Sequence, residues 1–444
     1  MKLSSILRAF AALTITGVLL APMAAQAVPS FARQTGMDCA VCHTVFPQLT
    51  PFGRMFKLSG YTMASGAFTN ESAQSGKLQE DVMAPLSAML QLDYTSMKKD
   101  DAVPGGTTNM TKDTVQLPQQ FSIFYAGRIS NYLGAFAQAT LDSTNAFAMD
   151  NTDIRFAKTA STSGGTSVTY GLSLNNSPTV EDVVNTTPVW GFPFSAADYA
   201  HTPAYGTLLG SGAFAQTTGG MVAYAMINNA WYLSGGVYHD TQATKGGVPG
   251  LQGWAPYARL AYQMDFGTTN FDVGAYTLNG KLTSNVSDPT VATTKFDNVG
   301  VDGQFQYING VHTATVRANY IDEKLTDPSA TVSGATTGTL KIRDANLNGE
   351  YYYDRMYGAG LGYFTTRGDA DAGLYGATNP SNKPDSAGWV ANLNYLPWLN
   401  AKLTLQYTFY SKFDGGSTYI SDTSHSLRNA KDNNTLYLAA WFMF

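Results

Sequence analysis

Two cysteines and a histidine lie together near the start of the chain, in the run Cys39-Ala40-Val41-Cys42-His43. They are the only two cysteines among 444 residues. The C-x-x-C-H spacing is typical of covalent c-type haem attachment, in which both thiols bond to the haem vinyl groups and the histidine ligates the iron. We therefore predict one haem c, held by Cys39 and Cys42, with His43 as an axial ligand.

Two other kinds of site use similar residues. A thioredoxin-like C-x-x-C pair requires a βαβ context, which the surrounding pattern lacks. A structural zinc site needs four ligands, more than two cysteines and one nearby histidine supply. These residues favour haem attachment over both alternatives.

A short helix follows the motif. Thr50 is a capping residue and Pro51 suits the first helical position, so they predict a helix start. Phe52, Met55 and Phe56 share one face of that helix. We expect Phe52 and Phe56 to pack on the haem, and Met55 is a candidate for the distal axial ligand.

Other residues near the motif are weaker candidates. Arg54 and Lys57 lie off the apolar face, where they would either pair with the haem propionates or remain as solvated surface charges. Met63 is a second candidate for the distal ligand. Met37 is expected to be too close to the attachment loop to serve.

The first residues have the pattern of an export signal. Lys2 and Arg8 precede an uncharged apolar stretch from Ala9 to Leu20, and an Ala-Gln-Ala sequence occupies 25–27. This pattern predicts a signal peptide over residues 1–27. No later run approaches the roughly 18 apolar residues of a membrane helix.

The composition is poor in charge and rich in aromatics. Charged residues make up 13% of the chain and aromatics 12%, whereas soluble domains average about 25% charged residues. The net charge of −5 argues against a nucleic-acid partner. A chain whose outer surface faces lipid explains the low charge.

From residue 81 to 444 apolar and polar residues alternate with period two, which predicts strands. In 401–411 the two faces carry Ala401, Leu403, Leu405, Tyr407 and Phe409 against Lys402, Thr404, Gln406, Thr408 and Tyr410. The same alternation occurs in 86–94, 258–264 and 313–320. Either a soluble β-sandwich or a transmembrane barrel would produce it.

Three features favour the barrel. The predicted strands run to roughly 10–14 residues, longer than the usual 5–6. The last strand ends the sequence on an aromatic residue, Phe444. Connections alternate between short turns, near 130–131, 228–229, 309–310, 354–355 and 397–400, and long loops, near 97–116, 177–217, 282–295, 324–337, 368–385 and 414–431. Outer-membrane barrels have such alternating connections.

We therefore predict an all-β protein. Its main part is a transmembrane antiparallel β-barrel of about 16 strands over 81–444 in the bacterial outer membrane. A small α-helical monohaem cytochrome segment over 28–63 and a linker over 64–80 precede the barrel. Both barrel ends and the haem segment are expected at the periplasmic side, with the segment there or inside the lumen.

The haem segment resembles one known family. The stretches PSFARQTG (29–36), FPQLTPFGR (46–54) and FKLSGY (56–61), together with the attachment motif, are similar to the fused monohaem cytochrome–porin family, the outer-membrane iron oxidases of iron-oxidising bacteria. The resemblance covers about 28–63, and the barrel agrees only in architecture. It implies oxidation of extracellular Fe(II), with the electron passing through the haem to a periplasmic c-type cytochrome or copper protein.

This mechanism suggests further candidates. Polar strand faces are predicted to line the lumen, with Arg259, Arg317, Glu350 and Lys402 among them. Loop carboxylates are candidate transient Fe(II) ligands, since oxygen ligands suit a labile divalent ion: Asp100, Asp101, Glu181 and Asp182. The loop over 177–217, with Trp190, Phe192 and Phe194, is expected to fold inward as a constriction or over the haem.

Two other functions remain open at this point. One is a diffusion porin in which the haem segment is a plug or a redox sensor. The other is outward electron transfer to an external acceptor, because the direction of electron flow depends on the haem potential.

Overall fold

The computed structural model describes residues 29–63, 85–102, 109–187, 191–241, 250–288, 290–326, 335–336, 338–376, 379–398 and 400–444. The predicted signal peptide (1–27), the predicted linker (64–80) and Trp190 lie outside these residues.

Short helices precede a long series of strands. The helices are α1 (Pro29–Thr35), α2 (Cys39–Cys42), α3 (Pro51–Leu58) and, much later, α4 (Ala372–Tyr375). The strands are β1 (Leu86–Met97), β2 (Asp113–Arg128), β3 (Leu133–Asp142), β4 (Phe147–Ser161), β5 (Ser167–Asn175), β6 (Thr218–Ile227), β7 (Trp231–Asp240), β8 (Gly250–Leu251), β9 (Ala255–Asp265), β10 (Thr269–Thr283), β11 (Thr293–Asn309), β12 (His312–Thr326), β13 (Thr339–Tyr353), β14 (Tyr357–Gly368), β15 (Ser386–Trp398), β16 (Ala401–Lys412), β17 (Thr418–Ile420), β18 (Leu427–Asn429) and β19 (Thr435–Met443). Two 3₁₀ turns cover Pro178–Glu181 and Ala430–Asn433.

The strands form one closed antiparallel wall. Each strand pairs with its neighbour along the chain, and β19 returns to pair with β1, with Met443 opposite Met89. The two-residue strand β8 adds to the edge beside β10, and β17 and β18 form a separate hairpin. Sixteen strands therefore make up the described wall: β1–β7, β9–β16 and β19. The predicted barrel and its strand number are confirmed.

The burial pattern is that of a membrane barrel, because the polar faces are the buried ones. On β12, Thr315 and Arg317 are each 1% exposed, whereas Val316 between them is 41% exposed. A soluble sandwich would bury the apolar face instead, so the exposed apolar face meets lipid. Exposed aromatic residues also follow the rim of short turns, as an interfacial girdle does: Tyr132, Trp231, Phe266, Tyr353, Tyr357 and Trp398. The chain is an outer-membrane protein.

The two rims of the barrel differ. The chain enters β1 and leaves β19 at the rim of short turns, which is the periplasmic rim in outer-membrane barrels. Two of its turns have positive φ at both central residues, 52° and 53° at Asn228 and Asn229, and 51° and 54° at Asp354 and Arg355, as type I′ hairpins require. The long loops lie at the opposite rim, except that β3 and β4 are joined there by the short connection 143–146.

The lumen contains two segments of the chain itself. Residues 29–63 lie in its periplasmic half, and the described parts of the loop between β5 and β6, 176–187 and 191–217, fold inward, as the sequence predicts. Among the described residues, no helix is long and apolar enough to span a membrane.

Candidate haem site inside the barrel

Ion pairs and hydrogen bonds hold the N-terminal segment to the lumen wall. Arg54 lies 3.1 Å from Asp272 of β10 and donates a 3.0 Å hydrogen bond to Gln306 of β11. The Tyr61 hydroxyl donates to Asp153 of β4 at 2.7 Å. These partners are lumen-facing residues near the periplasmic rim, so the segment is fixed inside the barrel.

The attachment motif is one turn of helix locked against α3. The His43 amide donates to the carbonyl of Cys39 at 2.8 Å, which closes the turn. Thr50 caps α3 by accepting from the Gly53 amide at 3.0 Å, and its own amide donates to the Cys42 carbonyl at 2.9 Å. The single capping residue therefore joins the two helices. No disulfide joins Cys39 and Cys42, so both are thiols.

One ring nitrogen of His43 is already committed. Nδ1 lies 3.2 Å from the backbone carbonyl of Gln48, an acceptor, so Nδ1 carries the proton and Nε2 is left with its lone pair. Desolvation lowers the pKa of His43 to about 4, which keeps the imidazole neutral. A neutral imidazole oriented through its second nitrogen by a carbonyl is the usual state of a metal-ligating histidine.

Cys39, Cys42 and His43 all line one cavity. Phe31, Phe46 and Phe56 contribute walls from the N-terminal segment. The barrel contributes a further wall, which we call the methionine–aromatic wall: Met89, Phe124, Phe136, Trp441 and Met443. Two thiols, a free imidazole nitrogen and flat apolar walls are the donor set and surroundings that a c-type haem requires. The residues present fit that group.

The helix α3 turns a different face to this cavity from the predicted one. Gly53, Phe56 and Lys57 line it, whereas Phe52 and Met55 do not. Phe56 packs on the cavity as expected, but Phe52 is half-buried outside it. Gly53 lies close against the Cys42 backbone, so α3 packs on the motif through the face that carries this glycine.

The predicted roles of Met55 and Arg54 disagree with the structure. Met55 packs against a cluster that includes Leu58, Val183 and Val184, away from the cavity. Arg54 is fully buried and bonded to the barrel wall, so it cannot also meet a haem propionate. Met63 does not line the cavity either.

Lys57 remains available for the predicted propionate contact. It lines the cavity, and its Nζ donates to the Val180 carbonyl of the inward loop. Desolvation, followed by the nearby charge of Arg155, lowers the pKa of Lys57 to about 8, so the ammonium stays charged at neutral pH.

The predicted lumen residues do face the interior, where they form ion pairs. Arg259 lies 2.7 Å from Asp302 and 3.5 Å from Asp182 of the inward loop. Arg317 and Glu350 are 4.0 Å apart, and Gln48 of the N-terminal segment donates to Glu350. The Lys402 ammonium lies 5.6 Å from the ring centroid of Phe194. These charges hold the two inserted segments rather than lining an open channel.

The four carboxylates suggested as Fe(II) ligands already have protein partners. Asp101 lies 2.8 Å from His201, Glu181 lies 3.1 Å from Arg155, and Asp100 accepts from the Lys112 amide at 2.6 Å. Asp182 pairs with Arg259. Across the described ranges no three histidine, cysteine or acidic side chains converge in a way that would hold a metal ion. Their positions serve to anchor loops.

The inward loop reaches the same cavity, which Val180 and Asn185 help to line. Phe194 packs against the cluster that contains Cys39, Phe46 and Trp441, and its ring centroid lies 6.0 Å from that of Phe192. The loop therefore covers the cavity and narrows the lumen at once.

The methionine–aromatic wall is the part of the site that sequence reasoning missed. Some of its members have polar neighbours on the lumen face, such as Ser87 and Gln91 beside Met89 on β1 and Lys402 beside Trp441. A signal was present in the alternation, because Met89 interrupts an otherwise polar face.

Comparisons with known proteins give an architectural likeness only. No family model matches the chain, and no curated protein matches it. Similar solved structures include the outer membrane channel DcaP of Acinetobacter baumannii (TM-score 0.48, 12% identity, covering 81% of this chain and 96% of that one) and the anion-selective porin of Comamonas acidovorans (TM-score 0.48, 12% identity, 81% and 98%). Salmonella typhi OmpF in complex with daunomycin is another (TM-score 0.47, 15% identity, 81% and 97%). Because these TM-scores and identities are low, the assignment of the fold as a barrel depends on the observed strand pairing.

Proposed function

We propose that this chain is an outer-membrane electron-transfer protein that carries one haem c inside its lumen. The observation that supports the proposal is that Cys39, Cys42 and the neutral His43 line one apolar cavity. When bound there, the haem supplies a one-electron redox centre.

The chain's own residues prepare the site. Gln48 orients the imidazole through its carbonyl and also ties the segment to Glu350 of the wall. Phe194 and the methionine–aromatic wall pack in one apolar cluster with Cys39. Burial in apolar surroundings is one of the factors that tune a haem potential.

The resemblance of residues 28–63 to the cytochrome–porin family supports extracellular Fe(II) as the substrate. Fe(II) would lose one electron and become Fe(III) outside the cell. The electron would pass to a periplasmic c-type cytochrome or copper protein. Oxidation at the surface keeps the poorly soluble ferric product outside.

A diffusion porin is the second candidate, and the closed barrel favours it. Barrels of 16–18 strands commonly enclose an aqueous channel. The presence of two inserted segments in the lumen favours electron transfer instead, because solutes would have to pass them.

The test uses the purified full-length protein. Its intact mass is expected to show one covalent haem, which Cys42→Ser removes. Anaerobic addition of Fe(II) to the oxidised protein is expected to give the reduced-haem absorbance spectrum, with a chemical reductant as the positive control. If Fe(II) leaves the oxidised spectrum unchanged while liposomes containing the protein pass small solutes freely, the diffusion-porin function replaces this one.

A further inference from the structure

We infer that the barrel wall supplies the sixth haem ligand, as a thioether from Met89 or from Met443. This inference depends on the haem proposed above. It makes the haem site a joint product of the N-terminal segment and the barrel, rather than of the segment alone.

The two methionines form a pair across the seam that closes the barrel. Met89 of β1 and Met443 of β19 are register partners, and both side chains line the same cavity as His43. They are 2% and 4% exposed. Because register partners project to the same face, their thioethers lie side by side on the cavity wall.

Apolar side chains such as those of Met89 and Met443 are unfavourable on a lumen wall unless an apolar group covers them. The lumen-facing neighbours of Met89 on β1 are Ser87 and Gln91, and the partner of Trp441 on β16 is Lys402. Met89, Phe124, Trp441 and Met443 of the wall form one buried apolar cluster with Cys39 and Phe46 of the N-terminal segment. A flat apolar group held by Cys39 and Cys42 would cover that part of the wall.

The cavity offers fewer other candidates for the sixth haem ligand than the sequence suggests. Met55 faces away from the cavity, and the described cavity lining includes no histidine besides His43. Met37 lines the cavity but lies only two residues before Cys39, on the segment that carries the attachment. The wall methionines belong to separate strands and are positioned independently of the motif.

One contact already orients a thioether. The side-chain nitrogen Nε2 of Gln91 donates to the Met89 sulfur at 3.7 Å, a weak contact from the next lumen-facing position. Sulfur retains a second lone pair in such a contact, so the hydrogen bond is compatible with ligation. Thioether sulfur paired with histidine is an established ligand set of c-type haem, and it raises the reduction potential.

The experiment examines the oxidised full-length protein and its variants by near-infrared absorbance and electron paramagnetic resonance. Wild type is expected to show the methionine-to-ferric-iron charge-transfer band and a low-spin signal. The double variant Met89→Leu/Met443→Leu, and one of the two single variants, are expected to lose both features and to have a lower midpoint potential at unchanged haem content. Met97→Leu is the matched control: Met97 is buried on the same face of β1 but outside the cavity, and its variant should keep the wild-type spectrum.

The outcomes separate the two proposals. Covalent haem with an unchanged spectrum in the double variant overturns the wall ligand alone. Haem-loaded wild type without the charge-transfer band also overturns the wall ligand alone. So does loss of the band in the Met37→Leu variant. A wild-type chain without covalent haem overturns the proposed function and, with it, this inference.

Discussion

Gly53 brings helix α3 closer to the attachment motif than a side chain would permit. A Cβ at this position would lie 2.1 Å from the Cys42 carbonyl oxygen, a backbone atom that cannot move alone. Gly53→Ala is therefore expected to push α3 away, at a cost of about 1–3 kcal/mol, and to lower covalent haem content per protein. Haem absorbance relative to protein concentration measures the effect.

A glycine with free space around it provides the control for Gly53→Ala. At Gly349 of β13 the nearest atom to an added Cβ would be 3.6 Å away. Gly349→Ala should leave haem content at the wild-type value. Full haem loading of Gly53→Ala would show that the contact between α3 and Cys42 does not position the motif.

Residue chemistry at the motif was predictable, but its surroundings were only partly so. The C-x-x-C-H spacing predicts Cys39, Cys42 and His43 as one haem-binding group, and the structure brings the three to one cavity. The orientation of α3 was not predictable from its apolar stripe, because the close contact of Gly53 with Cys42 determines which face of α3 packs on the motif. Arg54 was misassigned for a related reason: its partner Asp272 is distant in sequence, and no local pattern connects them.

At the scale of elements, the inward loop is held by a carboxylate that collects many donors. Asp182 accepts from the backbone amides of Val184, Thr186 and Thr187 at 2.9, 2.7 and 2.9 Å, and pairs with Arg259. Burial acts to raise the pKa of Asp182, but Arg259 and these donors outweigh it and the pKa falls below its usual value. The carboxylate is thus ionised throughout the neutral range.

Asp182→Asn replaces one accepting oxygen by a donor that faces other donors. The free energy that stabilises the loop's position is expected to fall by about 1–3 kcal/mol. This is enough to loosen the loop where it crosses the lumen. Single-channel conductance in a planar bilayer should rise above wild type. Asp288→Asn, which alters an Asx turn on the loop after β10, should leave conductance unchanged. Equal conductance in both variants would mean that Asp182 does not hold the constriction.

The strands themselves were predictable because their two faces meet different surroundings. Lipid outside and polar groups inside impose period two on every strand, as on β12 and β16. The path of the 176–217 loop was not predictable in detail, since ion pairs such as Asp182 with Arg259 form only once the wall has closed. The two wall methionines, Met89 and Met443, were not predictable as a pair, because each comes from a different strand.

For the whole molecule, the decisive property is that a porin-sized barrel is filled by its own N-terminal segment. Deleting residues 29–63 would leave wall groups such as Asp272 and Glu350 to water, which a wide lumen admits. The wall ladder, closed by β1 and β19, does not depend on the segment. The deletion variant is therefore expected to keep its β-structure, measured by circular dichroism, and to conduct ions several-fold better than wild type.

A haem-free variant tests whether the N-terminal segment itself or its haem closes the lumen. Cys42→Ser retains the anchors Arg54 and Gln48, so its conductance is expected to stay near the wild-type value while haem is lost. If Cys42→Ser opens the channel as far as the deletion does, then haem attachment, and not the ion pairs of the segment, closes the lumen. If wild type already conducts as freely as the deletion variant, the segment does not obstruct the lumen and solute diffusion becomes the better account of the barrel. Closed wild type together with closed Cys42→Ser would mean that the segment docks before or without haem, and that the barrel wall presents its methionines to a site already in place.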